Sequence, residues 1–224
     1  MDPFITTFTG RKINPLSLAG DDISIDDIAH HLALVNRFAG ATREPYSVAQ
    51  HSVLVSLLLE ADGARPEIII AGLLHDAAEA YLGDVTKWLK QTAEMEPFRM
   101  TEQRAQAAID RKFGLFAHSD ISVAASDAER LEEVDRFMVR MEALLHLPNQ
   151  GAHLFAAWPE RYPAVCGADF IRMGRAWRIV AGEDLHRMSS PVKSWMDCWS
   201  WQTAERLFLQ QFRKPIFARS AVSA

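Results

Sequence analysis

Three ionisable side chains interrupt the most apolar stretch of the chain, in the segment Leu73-Leu-His75-Asp76-Ala-Ala-Glu79. Burying a charge without a partner costs several kcal/mol, so such groups must be hydrogen-bonded, paired with one another or bound to a cation. Imidazole plus carboxylate is a typical donor set for divalent first-row metals, and a site of that kind needs further donors from elsewhere in the fold. His51, in Tyr46-Ser-Val-Ala-Gln-His51-Ser-Val, and Asp135, in Glu132-Glu-Val-Asp135-Arg-Phe, occupy otherwise core-directed positions and can provide them. A lone histidine on an apolar face is more often a satisfied core residue than a ligand. The combination favours a site: a histidine on the preceding helix, the His75-Asp76 doublet, Glu79 one turn later, then Gly83-Asp84 at the helix end.

Helices must position these groups, because helical periodicity dominates the sequence and strand signals are nearly absent. Residues 1–24 read as an extended arm, loop or short strand, in which Phe4, Ile5 and Phe8 alternate with threonines. Ser24 is placed to cap a helix whose Ile25, Ile28, Ala29, Leu32 and Val35 share a face and which ends near Gly40. Ser47 opens a second helix, closed by Asp62-Gly63, and Pro66 starts a third that runs to about Tyr81. The third is apolar nearly all round, which makes it central. Asp84 can cap a short helix to Lys90, Pro97 begins one to Phe113, and Ser119 or Ser126 begins one to Leu147. Beyond Pro148 come short periodic segments and a last helix from about Ser194 to Phe212. The reading is one all-α helical bundle: an arm (1–24), a core (25–147) and an irregular helical C-terminal extension (148–224) packed on it.

The chain resembles the HD-domain metal-dependent phosphohydrolases, whose motif is H…HD…D. The likeness is to their single-domain deoxynucleotide branch, which includes bacterial 5'-deoxynucleotidases and phage dATP triphosphohydrolases of the DatZ type. It runs from about Ile25 to Leu147 and is carried by Asn36-Arg37-Phe38, Ser47-Val-Ala-Gln-His51-Ser, and Leu73-Leu-His75-Asp76-Ala-Ala-Glu79-Ala-Tyr-Leu-Gly83-Asp84, ending in Lys90. The resemblance implies that His51, His75, Asp76 and Asp135 ligate one divalent metal (Co, Mn, Zn, Ni or Fe), with Mg serving a triphosphate substrate. Glu79 matches the catalytic carboxylate and Arg37 the arginine that grips phosphate. Phe38 stands where relatives often have a tryptophan against the base, so it keeps an aromatic face but lacks the indole N–H. Asp84 matches a residue near the sugar or a second metal, and Lys90 a phosphate-contacting lysine. Residues after Leu147 match no motif.

Those residue types suit phosphate ester hydrolysis. A metal can make hydroxide available near neutrality and polarise a phosphoryl oxygen. Arg37 and Lys90 can stabilise charge on the non-bridging oxygens, Arg37 with a bidentate fork, although a helix-end arginine and a solvated lysine remain the plainer readings. Glu79 can move the proton of the water or protonate the leaving oxygen. The expected activity is a dATP or dNTP triphosphohydrolase, with a 5'-deoxynucleotidase and a non-catalytic nucleotide-binding module as alternatives. Of the other histidines, His30 and His31 are adjacent and share no helical face, and His118, His146, His153 and His186 have no partner spacing. Glu142, two turns past Asp135, can reach the pocket but reads more simply as an exposed helix carboxylate.

The composition is that of an ordinary globular chain: 224 residues, 49% apolar, 24% charged, with a net charge of -5. That charge offers no basic face for coating duplex nucleic acid, so an anionic nucleotide would depend on local cations. Cys166 and Cys198 have neither disulfide nor CxxC spacing, and are read as small core residues in a reducing compartment. No apolar run approaches a membrane span, and the N-terminus lacks a signal peptide. The expectation is therefore a bacterial cytosolic protein, or a phage-encoded one. Trp195, Trp199 and Trp201 fall at helix-like spacing, which suits packing or a homo-oligomer contact.

Overall fold

The computed structural model describes residues 3–115, 125–184 and 197–215, with 125–126 and 176–184 described by their backbone alone. The arm forms a small antiparallel pair, β1 (Ile5–Thr6) and β2 (Lys12–Ile13), with Ile5 opposite Ile13. It is fastened to α1 (Ile25–Leu34) by Asp27, which accepts from the Thr9 amide at 2.7 Å and the Thr9 hydroxyl at 2.9 Å. His31 Nδ1 donates to the Ala80 carbonyl at 2.7 Å, and its Nε2 accepts from the Phe8 amide at 3.0 Å. The first helix is shorter than the sequence predicts, and the Ser24 side chain makes no cap bond. After Val35 the chain extends to pair Asn36 with Ser47, then makes a turn in which Phe38, Ala39 and Gly40 all have positive φ, at 55°, 52° and 75°. Helix cannot continue through left-handed residues.

Ser47 caps α2 (Val48–Ala61), its Oγ accepting from the Gln50 amide at 3.1 Å. Every residue from Val48 to Leu59 is buried, and α2 packs against α1, α3, α7, α9 and α10; of these, α3 spans Pro66–Leu74, α7 Ala125–His146, α9 Gly167–Asp184 and α10 Trp201–Phe212. The axis of the bundle is therefore shared by α2 and α3. The predicted third helix breaks at His75: residues 75–78 form a turn with a 3.0 Å Ala77 amide to Leu74 carbonyl bond, and α4 (Glu79–Leu82) follows. The turn is held from outside by Gln106 of α6 (Glu96–Lys112), which donates to the Leu74 carbonyl at 2.8 Å and accepts from the Ala78 amide at 3.1 Å.

Between α4 and α6 lies the one-turn α5 (Lys87–Lys90), which begins after Thr86 rather than at Asp84. Of the alternative starts for the long helix, Ser126 lies in the first turn of α7 and Ser119 is outside the described residues. The C-terminal third is more regular than its glycines and prolines suggest: α8 (Ala152–Ala157), the 18-residue α9, and α10, capped by Ser200, whose Oγ accepts from the Thr203 amide at 3.3 Å. Trp199, Ala204, Leu207 and Phe208 enter the same core as Ile13, Ile28, Leu54 and Met141. Trp199 is thus a packing residue, Trp201 is exposed, and Trp195 lies outside the described residues. Cys166 is exposed and Cys198 half-buried, so neither is the core residue expected. The fold is all-α apart from the arm's strand pair, and among the described residues no helix is long and apolar enough to cross a membrane.

Candidate metal centre

Helix α2 delivers His51, the turn after α3 delivers His75 and Asp76, and α7 delivers Asp135. His51 Nε2 lies 3.2 Å from His75 Nε2, 3.7 Å from Asp76 Oδ2 and 3.3 Å from Asp135 Oδ1. His75 Nε2 is 3.2 Å from Asp76 Oδ2 and 3.8 Å from Asp135 Oδ1. Donors held about 2.0–2.2 Å from one ion in tetrahedral or octahedral arrangement stand about 2.8–3.6 Å from their neighbours. The observed separations sit at or just above that range.

The outer nitrogen of each imidazole is already spoken for. His75 Nδ1 lies 2.8 Å from the Gly72 carbonyl, which can only accept, so Nδ1 carries the proton. His51 Nδ1 lies 2.6 Å from Glu142 Oε1, and the same carboxylate receives the Tyr46 hydroxyl at 2.9 Å and Arg37 Nε at 3.1 Å. With both Nδ1 atoms protonated, the two Nε2 lone pairs and an Asp76 oxygen lie within 4.8 Å of one another, and Asp135 Oδ1 approaches the two imidazoles from another side at 3.3 and 3.8 Å. All four are acceptors, and a divalent cation satisfies them together; a carboxylate or carbonyl behind each imidazole is the usual way of orienting a metal-binding histidine.

The electrostatics express the same demand. Burial alone would lower the pKa of His75, but Asp76 and Asp135 outweigh it and hold it well above the ordinary value. Burial and Arg37 oppose protonation of His51, yet Glu142 and Asp135 prevail and raise it. Against burial, His75 holds the Asp76 carboxyl well below its usual range, and His51 and His75 do the same for Asp135. Without a metal, protons must occupy the place of the cation.

A cavity of about 250 Å³ opens beside this cluster. Asp76, Asp135, Glu79, Arg37, Phe38, Asp84 and Lys90 all line it. Glu79 is 5% exposed; its Oε1 accepts from Lys90 Nζ at 3.0 Å, while Oε2 is buried with no hydrogen-bond partner. Burial, then Asp76 and Asp84, push the pKa of Glu79 well above the carboxylate norm. Arg37 is bonded to Glu142 and, through Nη1, to Asp76 Oδ2 at 3.2 Å. Lys90 is shared between Glu79 and Glu102, the latter at 2.5 Å. Both cations are therefore anchored within the site rather than being the helix-end arginine and surface lysine of the plainer readings.

Several residues of the site escape a reading by sequence. Glu142 is 1% exposed, against the expectation of an exposed carboxylate; it stands seven residues after Asp135, two turns along the same face of α7. Lys87 lines the cavity and has no ion pair among the described residues, with its pKa lowered by burial and by Arg161 against the pull of Asp135. Its signal was its place between Asp84 and Lys90. Trp88 and Tyr162 also line the cavity, and nothing in the sequence links Tyr162 to the motif residues. Conversely, His30 stacks on Phe8 of the arm with ring centroids 3.8 Å apart and reaches Glu205 of α10 at 3.3 Å, His31 accepts from the Phe8 amide, and His146 stacks on Tyr46 with ring centroids 4.5 Å apart.

No family model matches the chain. The uncharacterized protein YfdR of Escherichia coli K12 is 39% identical over 112 residues, covering 50% of this chain and 59% of YfdR, so the match spans less than two thirds of that relative. The uncharacterized protein RCAP_rcc00048 of Rhodobacter capsulatus is 37% identical over 141 residues, which cover 60% of this chain and 68% of that protein. With that identity sustained over more than two thirds of the relative's length, the chain belongs to the family of RCAP_rcc00048.

Proposed function

We propose that this chain is an HD-type, metal-dependent phosphohydrolase of 2'-deoxynucleotides that converts dATP, or dNTPs more widely, to the deoxynucleoside and triphosphate. The observation that carries the reading is the grouping of His51, His75 and Asp76, with Asp135 beside the two imidazoles, next to a cavity that also holds Glu79 with an unpartnered oxygen. A bound Co, Mn, Zn, Ni or Fe ion supplies a Lewis acid that polarises a phosphoryl oxygen and lowers the pKa of water. Lys87 and Arg37 meet the phosphate oxygens, with the Arg37 fork held in place by Glu142 and Asp76. Glu79 exchanges a proton with the reacting water or the leaving oxygen through Oε2, while Lys90 fixes Oε1. Its raised pKa places it closer to the working pH than an ordinary carboxylate. The protein acts in the bacterial cytosol or is phage-encoded, and assembles as a homo-oligomer.

A 5'-deoxynucleotidase is the second reading, because the same donors and Glu79 serve a monophosphate as well as a triphosphate. The test is a panel of deoxy- and ribonucleoside mono-, di- and triphosphates with each divalent metal. Release of deoxyadenosine and triphosphate from dATP is expected. Hydrolysis of dAMP with dATP left intact would establish the nucleotidase. Metal and nucleotide binding with no turnover of any substrate would leave a binding module. Glu79→Gln should retain metal and lose about 10²–10⁴-fold in rate.

A further inference from the structure

The lining of the cavity is of two unlike kinds. One is charged, with Asp76, Glu79 and Asp135, while Trp88 and Tyr162 line another part of its wall. Trp88 stacks on Trp158 with centroids 4.0 Å apart and planes 8° from parallel, and Tyr162 meets Trp88 edge-on at 6.2 Å and 78°. Both tryptophans keep large exposed surfaces, 37% for Trp88 and 39% for Trp158. Indole left at a surface beside a cavity is more informative than indole in a core. The geometry is fixed from two directions: Trp88 rides on α5 between Lys87 and Lys90, while the Tyr162 amide donates to the Trp158 carbonyl at 2.8 Å and sets those two rings in one turn. That turn belongs to the C-terminal third of the chain, beyond the segment that carries the metal-ligating residues.

We propose that this aromatic wall is the nucleobase-binding subsite, with the base packed against Trp88, which Trp158 backs and which Tyr162, itself only 2% exposed, meets edge-on. It rests on the nucleotide reading of the site, and it assigns the C-terminal segment a part in substrate recognition. A ligand that meets both kinds of lining carries an anionic group for the metal and a flat, apolar group for the indole. A nucleotide has that form, since every base offers a π-face whatever its hydrogen-bonding pattern. The wall therefore contributes affinity for the base with little dependence on the phosphate.

The experiment separates base from phosphate. In Mn²⁺-loaded Glu79→Gln protein, where ligand is not consumed, binding of dAMP and of 2-deoxyribose 5-phosphate is measured by calorimetry. Trp88→Ala should weaken dAMP on the order of tenfold and leave the abasic sugar phosphate unchanged. Trp88→Phe should recover most of the dAMP affinity, and Trp158→Ala should reproduce part of the loss even where Trp88→Ala fails to fold. Equal losses on both ligands, no loss on either, or no dAMP binding to the parent protein would each overturn the proposal. Turnover plays no part in this readout, so failure of the base subsite and absence of hydrolysis are separate results.

Discussion

Glu142 decides more of the site than any single ligand, because it binds three donors from three segments: Tyr46, His51 and Arg37. Its carboxyl is held below the usual range against burial, chiefly by His51 and Arg37. Glu142→Gln keeps the shape but offers only one acceptor oxygen and turns an amide N–H₂ toward donors. Metal affinity should fall about 10–100-fold, the usual cost of losing the partner behind a ligating histidine. Competition against a chromogenic chelator measures it, and an unchanged affinity would remove Glu142 from the positioning of His51. A second carboxylate acts on stability. Burial lifts Asp110 to about 6 even though Gln106 donates to it at 2.9 Å. Its unfolded value is about 3.9, so the folded protein holds the extra proton between the two, and stability falls as pH rises from about 4 to about 6 and stays lower above. Asp110→Asn should therefore gain about 1–2 kcal/mol at pH 7.5, a figure discounted for partial exposure, and nothing near pH 4. Urea midpoints at the two pH values check the sign.

Between elements, α2 packs tightly against α3 at Gly72. A Cβ there would stand 2.3 Å from Leu59 Cδ1, 3.4 Å from Val55 Cγ1 and 3.5 Å from Leu131 Cδ1. The Leu59 methyl can turn aside, but inside a filled core, so Gly72→Ala should cost about 1–3 kcal/mol. The Gly72 carbonyl also receives His75 Nδ1, so the shift reaches a metal ligand. Thermal melting with and without Mn²⁺ should show a lower Tm and a smaller metal-induced rise; a drop in Tm with the full rise retained would confine Gly72 to packing. This coupling explains which parts of the site were legible. His51, His75 and Asp76 stand out because ionisable groups in apolar periodic segments need a reason, and α2 and α3 are among the most apolar segments; Asp135, on the acidic α7, is singled out by the H…HD…D resemblance. The break at His75 was not legible, since periodicity in Pro66–Tyr81 continues across it and the bonds that stop the helix come from Gln106, a neighbour in space alone. Glu142 lies on an amphipathic helix whose exposed face is equally acidic, so residue type could not tell its side.

Across the whole molecule, the segment that carries the motif is not the whole of the core. Gln50 of α2 is fully buried, and it donates to the Asp197 carbonyl at 2.8 Å and accepts from the Trp199 amide at 2.9 Å. Buried Ser56 of the same helix receives Gln211 of α10 at 2.9 Å. Phe208 and Leu207 fill the space against α1 and α2. Ending the chain before Asp197 would strand two buried polar side chains at about 1–3 kcal/mol each. It would also remove a phenylalanine and a leucine worth about 2–5 kcal/mol apiece. Those losses together match or exceed the roughly 5–15 kcal/mol that keeps a domain folded. A chain of residues 1–196 should show no cooperative urea transition and no site, whereas one ending after Lys214 keeps every contact named here and should unfold cooperatively with the full-length midpoint. A cooperative transition in the shorter chain would make residues 1–196 an autonomous fold and reduce α10 to a surface addition. The expected failure would instead mean that α10, the last helix among the described residues, is part of the core without which α2 does not hold His51 against the other donors.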